Sequence, residues 1–243
     1  MKLFQDSCFN ILEQLISEGI MVDAIITDPP YNIGYTSWDS DFDLFRAFDL
    51  CKLLIKDSGN LIIFQGYSNV CETKTWLDKN FKFQNWIIYD RIKGRGGTRN
   101  LTSTREDILW YSNGNNYTFN KMYSNTLKAT RGKGLGGKNG QQYRSLSNVW
   151  SDISPVVPWS DERSGHPTQK SVSLMKRCVS LWTNKGETVL DFTMGSGSTG
   201  VACKELSRSF IGVEIDEHWF NIAKQRIDSV KVTKNLFDGG NNN

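Results

Sequence analysis

Asp28, Pro29, Pro30 and Tyr31 stand together at the end of the apolar run VDAIIT and are followed by Asn32. Each proline fixes its own φ and removes a backbone donor. The residue before each proline is also pushed out of the helical region. A strand that ends this way becomes a rigid extended stub with an acid on one side and an aromatic ring on the other. Two readings fit that stub: a strand running into a tight surface turn, or a site that holds a flat substrate by its polar edge.

A second stretch with chemical content is DFTMGSGSTG, residues 191–200, placed between the apolar run TVL and the helical pattern GVACKELS. Gly195, Gly197 and Gly200 satisfy G-x-G-x-x-G, and Glu214 closes the next apolar run. That is close to the ~20-residue offset at which an acid binds a ribose diol. The strand–loop–helix setting points to an adenosine-containing cofactor rather than a structural turn. A dinucleotide would seat its pyrophosphate on the helix N-terminus, where the charge of Asp191 opposes it. The same carboxylate suits the cationic ammonium of S-adenosylmethionine. Only 43 residues follow Gly200, too few to finish a dinucleotide-binding domain without strands drawn from earlier in the chain. The methyl donor is therefore favoured over NAD.

These two stretches need a frame, and the rest of the chain supplies one. KLFQD (2–6) reads as a strand, CFNILEQLISEG as a helix closed by Gly19, and MVDAIITD (21–28) as a strand buried on both faces. Residues 32–42 are polar and turn-rich, a loop or lid carrying Trp38 and Asp39; 43–56 read as a helix and LIIF (61–64) as a strand. FQNWIIYDR and EDILWYS look like antiparallel neighbours, and 112–160 lose periodicity, with RGKGLGGKNG flexible. Helical spacing returns in KSVSLMKRCVSLW, followed by the strand ETVLDF, the glycine turn and its helix, the strand SFIGVEID and the helix EHWFNIAKQRI. Alternating apolar strands and helices imply an α/β fold with a doubly wound, mostly parallel sheet. Trp86, Trp110, Trp219 and Phe220 fall in strand or helix patterns and read as core.

Charge divides the chain unevenly. Residues 91–144 hold eleven Lys and Arg against Glu106 and Asp107, a local +9 inside a chain of net +3, which leaves −6 for the remainder. A basic, glycine-rich segment in an otherwise acidic chain is the footprint of phosphate-backbone binding. Arg95, Arg99, Arg105, Lys121, Arg131, Lys133 and Lys138 are the candidate DNA contacts. Five scattered cysteines without a CxxC pair and only two histidines argue against a disulfide framework or a metal centre. No run approaches the ~20 apolar residues of a membrane span, and the expectation is a cytoplasmic protein of a bacterial or phage-infected cell.

With these motifs in hand, the chain resembles the DNA amino-methyltransferases in their β arrangement, where DPPY precedes the cofactor loop. DPPYN (28–32) resembles the catalytic motif and HPTQK (166–170) the segment capping the methionine end of the cofactor. DFTMGSGSTG resembles the cofactor loop, FIGVEID (210–216) the strand carrying the ribose acid, and QDSC (5–8) the acidic strand end near the adenine. Phe192 and Thr193 depart from the family pattern, which commonly has a proline–phenylalanine pair at these two positions. The resemblance implies one catalytic domain over 1–243, with a permuted Rossmann-like core from about 1–111 and 161–235. It also implies an inserted recognition region at about 91–160 and a disordered tail at 236–243.

The resemblance further implies roles. Asp28 and the Pro29 carbonyl would each accept one N–H of an exocyclic amine, bringing out its lone pair for attack on the sulfonium methyl. Pro30 holds that carbonyl in place, and Tyr31 would stack on the base. Asp6, Cys8, Asp28, Thr168, Lys170, Asp191, Phe192, Met194, Gly195, Ser196, Gly197 and Glu214 would form the S-adenosyl-L-methionine site. His166 is read as shaping its loop. A base inside a duplex is out of reach of such a site, so the target is flipped out or single-stranded. Asp at the first motif position favours adenine N6, since the cytosine-N4 relatives commonly carry Ser. Cytosine N4 and a silent DNA-binding regulator stay open as alternatives, as does a homodimer.

Overall fold

Residues 1–31, 41–95, 98–99, 101–127 and 143–231 are described by the structure, a computed structural model. The Trp38–Asp39 loop, the glycine-rich basic stretch with Arg131, Lys133 and Lys138, and the 236–243 tail lie outside the described residues. In chain order the first half comprises β1 (Lys2–Gln5), α1 (Cys8–Ser17), β2 (Val22–Thr27), α2 (Leu44–Leu54), β3 (Ile55–Gln65) and α3 (Val70–Asn80). There follow β4 (Lys82–Arg95), β5 (Ser103–Ser112), β6 (Tyr123–Leu127), β7 (Tyr143–Ser145) and β8 (Val149–Trp150). The last third comprises α4 (Val172–Trp182), β9 (Thr188–Asp191), α5 (Ser198–Glu205), β10 (Ser209–Glu214) and α6 (Glu217–Ser229).

Eight strands form one sheet in the order β1-β10-β9-β2-β3-β5-β4-β8, and β6 pairs with β7 in a separate two-stranded ribbon. Neighbours in the main sheet run parallel except at β5, which opposes both β3 and β4. The apolar run of β2, broken only by Asp23 near its start, is explained by its place. Ala24, Ile25 and Ile26 are fully buried between two helical layers. Leu12, Leu15, Phe48, Leu54 and Leu77 of α1, α2 and α3 cover one face of the sheet. Leu174, Val179, Trp182, Ala202, Ala223 and Ile227 of α4, α5 and α6 cover the other.

The helix starts are set by their first side chains. Asp43 accepts from the Arg46 N–H at 3.0 Å, Ser171 from Leu174 at 3.3 Å and Asp216 from Trp219 at 3.0 Å. Each such cap contributes about 1 kcal/mol.

Three features differ from the sequence reading. Helix α3 has no counterpart there, because its buried positions Val70, Thr73 and Leu77 include a threonine and make too thin an apolar stripe. Strand β3 begins at Ile55, inside the stretch read as helix, rather than at Leu61, its register on β2 jumping from Ile55 to Asn60. The described residues of 112–160 include regular structure that their composition does not suggest: β8 joins the sheet edge, and Trp150 is buried against Trp182, ring centroids 6.2 Å apart.

β2 and β9 are adjacent at the centre, through Ala24–Val189 and Ile25–Leu190. From this pair the chain winds outward in both directions, β2 to β3 on one side and β9 to β10 on the other. Ligands of open α/β sheets bind at such a switch point, beyond the carboxyl ends of the strands. The Thr27 and Thr193 hydroxyls meet there at 2.7 Å. Thr193, one of the two residues that depart from the family's proline–phenylalanine pair, therefore ties the two strand ends together.

Candidate active site

A cleft of about 920 Å³ opens over the carboxyl ends of β2, β9, β10 and β1. Asp28, Pro29, Pro30 and Tyr31 line it together with Asp6, Cys8, Thr168, Lys170, Asp191, Phe192, Met194, Gly195, Ser196 and Glu214. Gly197 is the exception among the expected cofactor residues. It has φ +80° and faces α6, where an added Cβ would stand 2.9 Å from the Ala223 Cβ. Its part is to let α6 pack closely under the loop.

At one end of the cleft the glycine loop is held by backbone donors and neighbouring side chains. Glu214 accepts from the N–H groups of Gly195 and Asp216, both at 2.9 Å. Burial raises its pKa above the usual carboxylate value, and these two N–H groups oppose the shift. Asp191 accepts from the Thr199 hydroxyl at 2.7 Å and the Thr193 N–H at 3.3 Å. Burial nevertheless pushes its pKa up to about 7. Arg226 of α6 donates to the Ser196 carbonyl, and Ser198 donates to the Lys170 carbonyl at 2.8 Å, locking the loop to the HPTQK segment.

His166 lies over Gly195, whose missing Cβ would sit 3.2 Å from Nε2, and packs edge-on against Trp219 at 4.6 Å. Burial lowers the His166 pKa to about 4, so the ring stays neutral near pH 7. This arrangement fits an adenosyl-methionine. Each oxygen of Glu214 keeps a lone pair for a diol hydroxyl, Gly195 leaves a bare floor, and Phe192, Met194 and Trp219 supply apolar wall. Asp6, which binds the Ser7 N–H and the Asn10 amide, and Cys8 at the start of α1 close the far end.

At the other end the charges are paired with one another. Tyr31 donates its hydroxyl to Asp28 Oδ1 at 2.6 Å, and the Lys170 ammonium donates to Oδ2. Lys170 also lies 3.5 Å from Glu106 Oε2, and Arg91 lies 3.5 Å from Glu106 Oε1. Burial opposes the Lys170 charge, but the carboxylates of Asp28 and Glu106 outweigh it and raise its pKa above the ordinary lysine value. The Tyr31 pKa is raised by burial first and then by the Asp28 charge.

Glu106, Arg91, Tyr89 and Arg226 are site residues that the sequence reading did not select, and Trp219 lines the cleft instead of belonging to the core. Of the candidate DNA contacts, Arg105 lines the cleft and pairs with the buried Asp107 at 3.1 Å. Arg99 is exposed, Lys121 stands near the β6–β7 ribbon with Nζ 5.4 Å from the Tyr123 ring centroid, and Arg95 ends β4.

A family model described as DNA methylase, of the N6/N4 methyltransferase type, matches residues 22–225. The chain belongs to the N6/N4 DNA methyltransferase family. It is 31% identical over 242 residues to the type II methyltransferase M.HpaI of Haemophilus parainfluenzae, covering 91% of this chain and 73% of that one. It is also 31% identical over 258 residues to the type II methyltransferase M1.MboII of Moraxella bovis, covering 95% and 98%. Among solved structures, the M1.HpyAVI–SAM complex matches with a TM-score of 0.69 at 30% identity, covering 93% of this chain and 98% of that one. The cytosine-N4-specific PvuII DNA methyltransferase matches with a TM-score of 0.68 at 13% identity, covering 96% and 87%, a likeness of fold alone. The methyltransferase uses S-adenosyl-L-methionine and acts on DNA. Among the described residues no helix is long and apolar enough to cross a membrane.

Proposed function

We propose that this methyltransferase modifies the exocyclic N6 of adenine at a specific DNA site, with the target base rotated out of the duplex. The observation that carries the reading is the Asp28 carboxylate at the end of β2, beside the cofactor loop that follows β9. Its oxygens accept hydrogen bonds and do not donate them when ionised. Together with the Pro29 carbonyl they suit an amine with two N–H groups. Pro30 keeps the carbonyl aimed, so little reorganisation accompanies reaction. Tyr31, whose ring rests on Gly66, offers the base a stacking face. When bound, the cofactor supplies an electrophilic methyl group. Glu214, Asp191, Gly195, Thr168 and the wall residues would hold and orient it. Lys170 takes part through its pair with Asp28.

Rotating the base out costs a few kcal/mol. Phosphate contacts from the 91–160 region would offset that cost, with Arg91 and Arg105 already at the mouth of the cleft. The test is incubation with DNA and methyl-labelled cofactor, followed by hydrolysis to nucleosides. Label in N6-methyladenine nucleoside supports the proposal. Label in N4-methylcytosine instead replaces it with the cytosine reading, and absence of label leaves a DNA-binding regulator.

A further inference from the structure

The Asp28 carboxylate already has a donor on each oxygen, Tyr31 on Oδ1 and Lys170 on Oδ2. Each oxygen keeps a second lone pair for an N–H of the target amine, the role proposed for Asp28 above. The donor already on it nevertheless draws charge from that acceptor and competes with the amine for its place. Tyr31 is fixed from two sides. Its ring packs on Gly66, where a Cβ would stand 3.0 Å from Cδ2, and its carbonyl accepts from the Asn69 amide. Lys170 is a compact charge on a flexible four-carbon stem.

A second anion stands within reach of Lys170. Glu106 Oε2 lies 3.5 Å from Nζ, is buried and accepts no hydrogen bond from any described residue. A buried carboxylate oxygen without a donor is costly. Two other neighbours leave it unsatisfied. Arg91 faces Oε1 and is tied to the carbonyls of Ser103 and Thr104, while the buried Tyr89 hydroxyl, across the β4–β5 ladder, makes no hydrogen bond to a described residue.

We propose that Glu106 is a positioning residue for methyl transfer: its open oxygen takes the Lys170 ammonium from Asp28 as the target base enters, freeing Asp28 Oδ2 for the amine. No proton moves in this exchange. Two carboxylates share one ammonium before and after, and only the shorter contact changes sides. The same step discriminates against water, because an empty site leaves Lys170 on Asp28 and the acceptor covered.

The test compares single-turnover methylation at saturating cofactor and DNA. Glu106→Gln keeps the shape and removes the charge that draws Lys170, so the rate is expected to fall about tenfold or more. Cofactor and DNA affinities should stay within about twofold. Adding Lys170→Met to Glu106→Gln should then raise the rate above that of Glu106→Gln alone, because the competitor for Asp28 is gone. A near-normal Glu106→Gln rate, or a double variant no faster than Glu106→Gln, overturns the proposal.

One measurement needs no variant. A crystal of the unaltered chain with demethylated cofactor and target DNA should place Lys170 Nζ on Glu106 and off Asp28, and an intact Lys170–Asp28 pair there also overturns it. Asp28→Ala in parallel separates the two levels of inference. Activity in that variant removes the reading of Asp28 itself, whereas an inactive Asp28→Ala beside a fast Glu106→Gln removes only the role of Glu106.

Discussion

The two ends of the cleft satisfy their charges in opposite ways. At the glycine loop, Glu214 and Asp191 accept from backbone N–H groups and short hydroxyls, partners fixed by local geometry. At the DPPY end, Asp28, Lys170, Glu106 and Arg91 answer one another across four separate segments, and among the described residues nothing donates a hydrogen bond to Glu106 Oε2. The first arrangement is ready for a ligand as it stands. In the proposal above, the second rearranges as it accepts one. A site that binds the same cofactor every cycle gains from rigidity. A site that admits a base only after it leaves the duplex gains from charges that cover the acceptor until then.

The contrast is broken most severely at Asp28. Asp28→Ala removes the acceptor of the amine, and a loss of about 10³-fold or more in turnover is expected from removing one preorganised polar partner. Cofactor affinity, read by calorimetry, should stay close to that of the unaltered chain. A variant that kept most of its turnover would contradict the proposed mechanism.

Asp191 sharpens the comparison through pH. Its folded pKa of about 7 lies above the unfolded carboxylate value, so the folded state binds the extra proton. Stability from this group is therefore present at low pH and is lost as pH rises from about 4 toward 7. The amount is on the order of 4 kcal/mol. His166, lowered to about 4 by burial, acts in the opposite sense, adding stability as pH rises through the same range to its unfolded value. Comparing the unaltered chain with Asp191→Asn cancels the histidine. The difference in chemical-denaturation free energy, measured without cofactor, should shrink steadily across that window.

The smallest expected effect is at Glu214. Glu214→Gln keeps one acceptor for a backbone N–H and loses the charge. Hydrogen bonds to charged groups contribute about 1.5–3 kcal/mol, so cofactor affinity should weaken roughly tenfold to a hundredfold. Turnover at saturating cofactor should change much less, and a fall in saturated turnover matching that of Asp28→Ala would erase the distinction between the two ends.

How much of this was legible in the sequence follows from the same contrast. The fold class was readable because β2, β9 and β10 lie between helical layers and their sequences are apolar without alternation. The glycine loop and DPPY were readable because their chemistry is local, within ten consecutive residues or fewer. Glu106 was not. Within EDILWYS it reads as the ordinary polar start of a strand, and its role depends on β5 lying between β3 and β4 and on Lys170 arriving from the start of α4. Arg226 and Trp219 were missed for the same reason, since only tertiary packing turns α6 toward the loop. Gly197 shows the reverse: the structure gives this motif position, with its positive φ, a part in helix packing that the motif alone does not reveal.

The hydroxyl pair that joins the ends of β2 and β9 spans 166 residues of sequence. A ribosome therefore releases the DPPY segment long before its neighbouring strand exists. Until β9 is made, that flank of β2 is an unsatisfied ladder of amides and carbonyls, open to strands of other chains. Pairing across so long a span is intrinsically slow. During synthesis, the centre of the finished sheet thus stays open on one flank, and no fragment ending before residue 188 can close it.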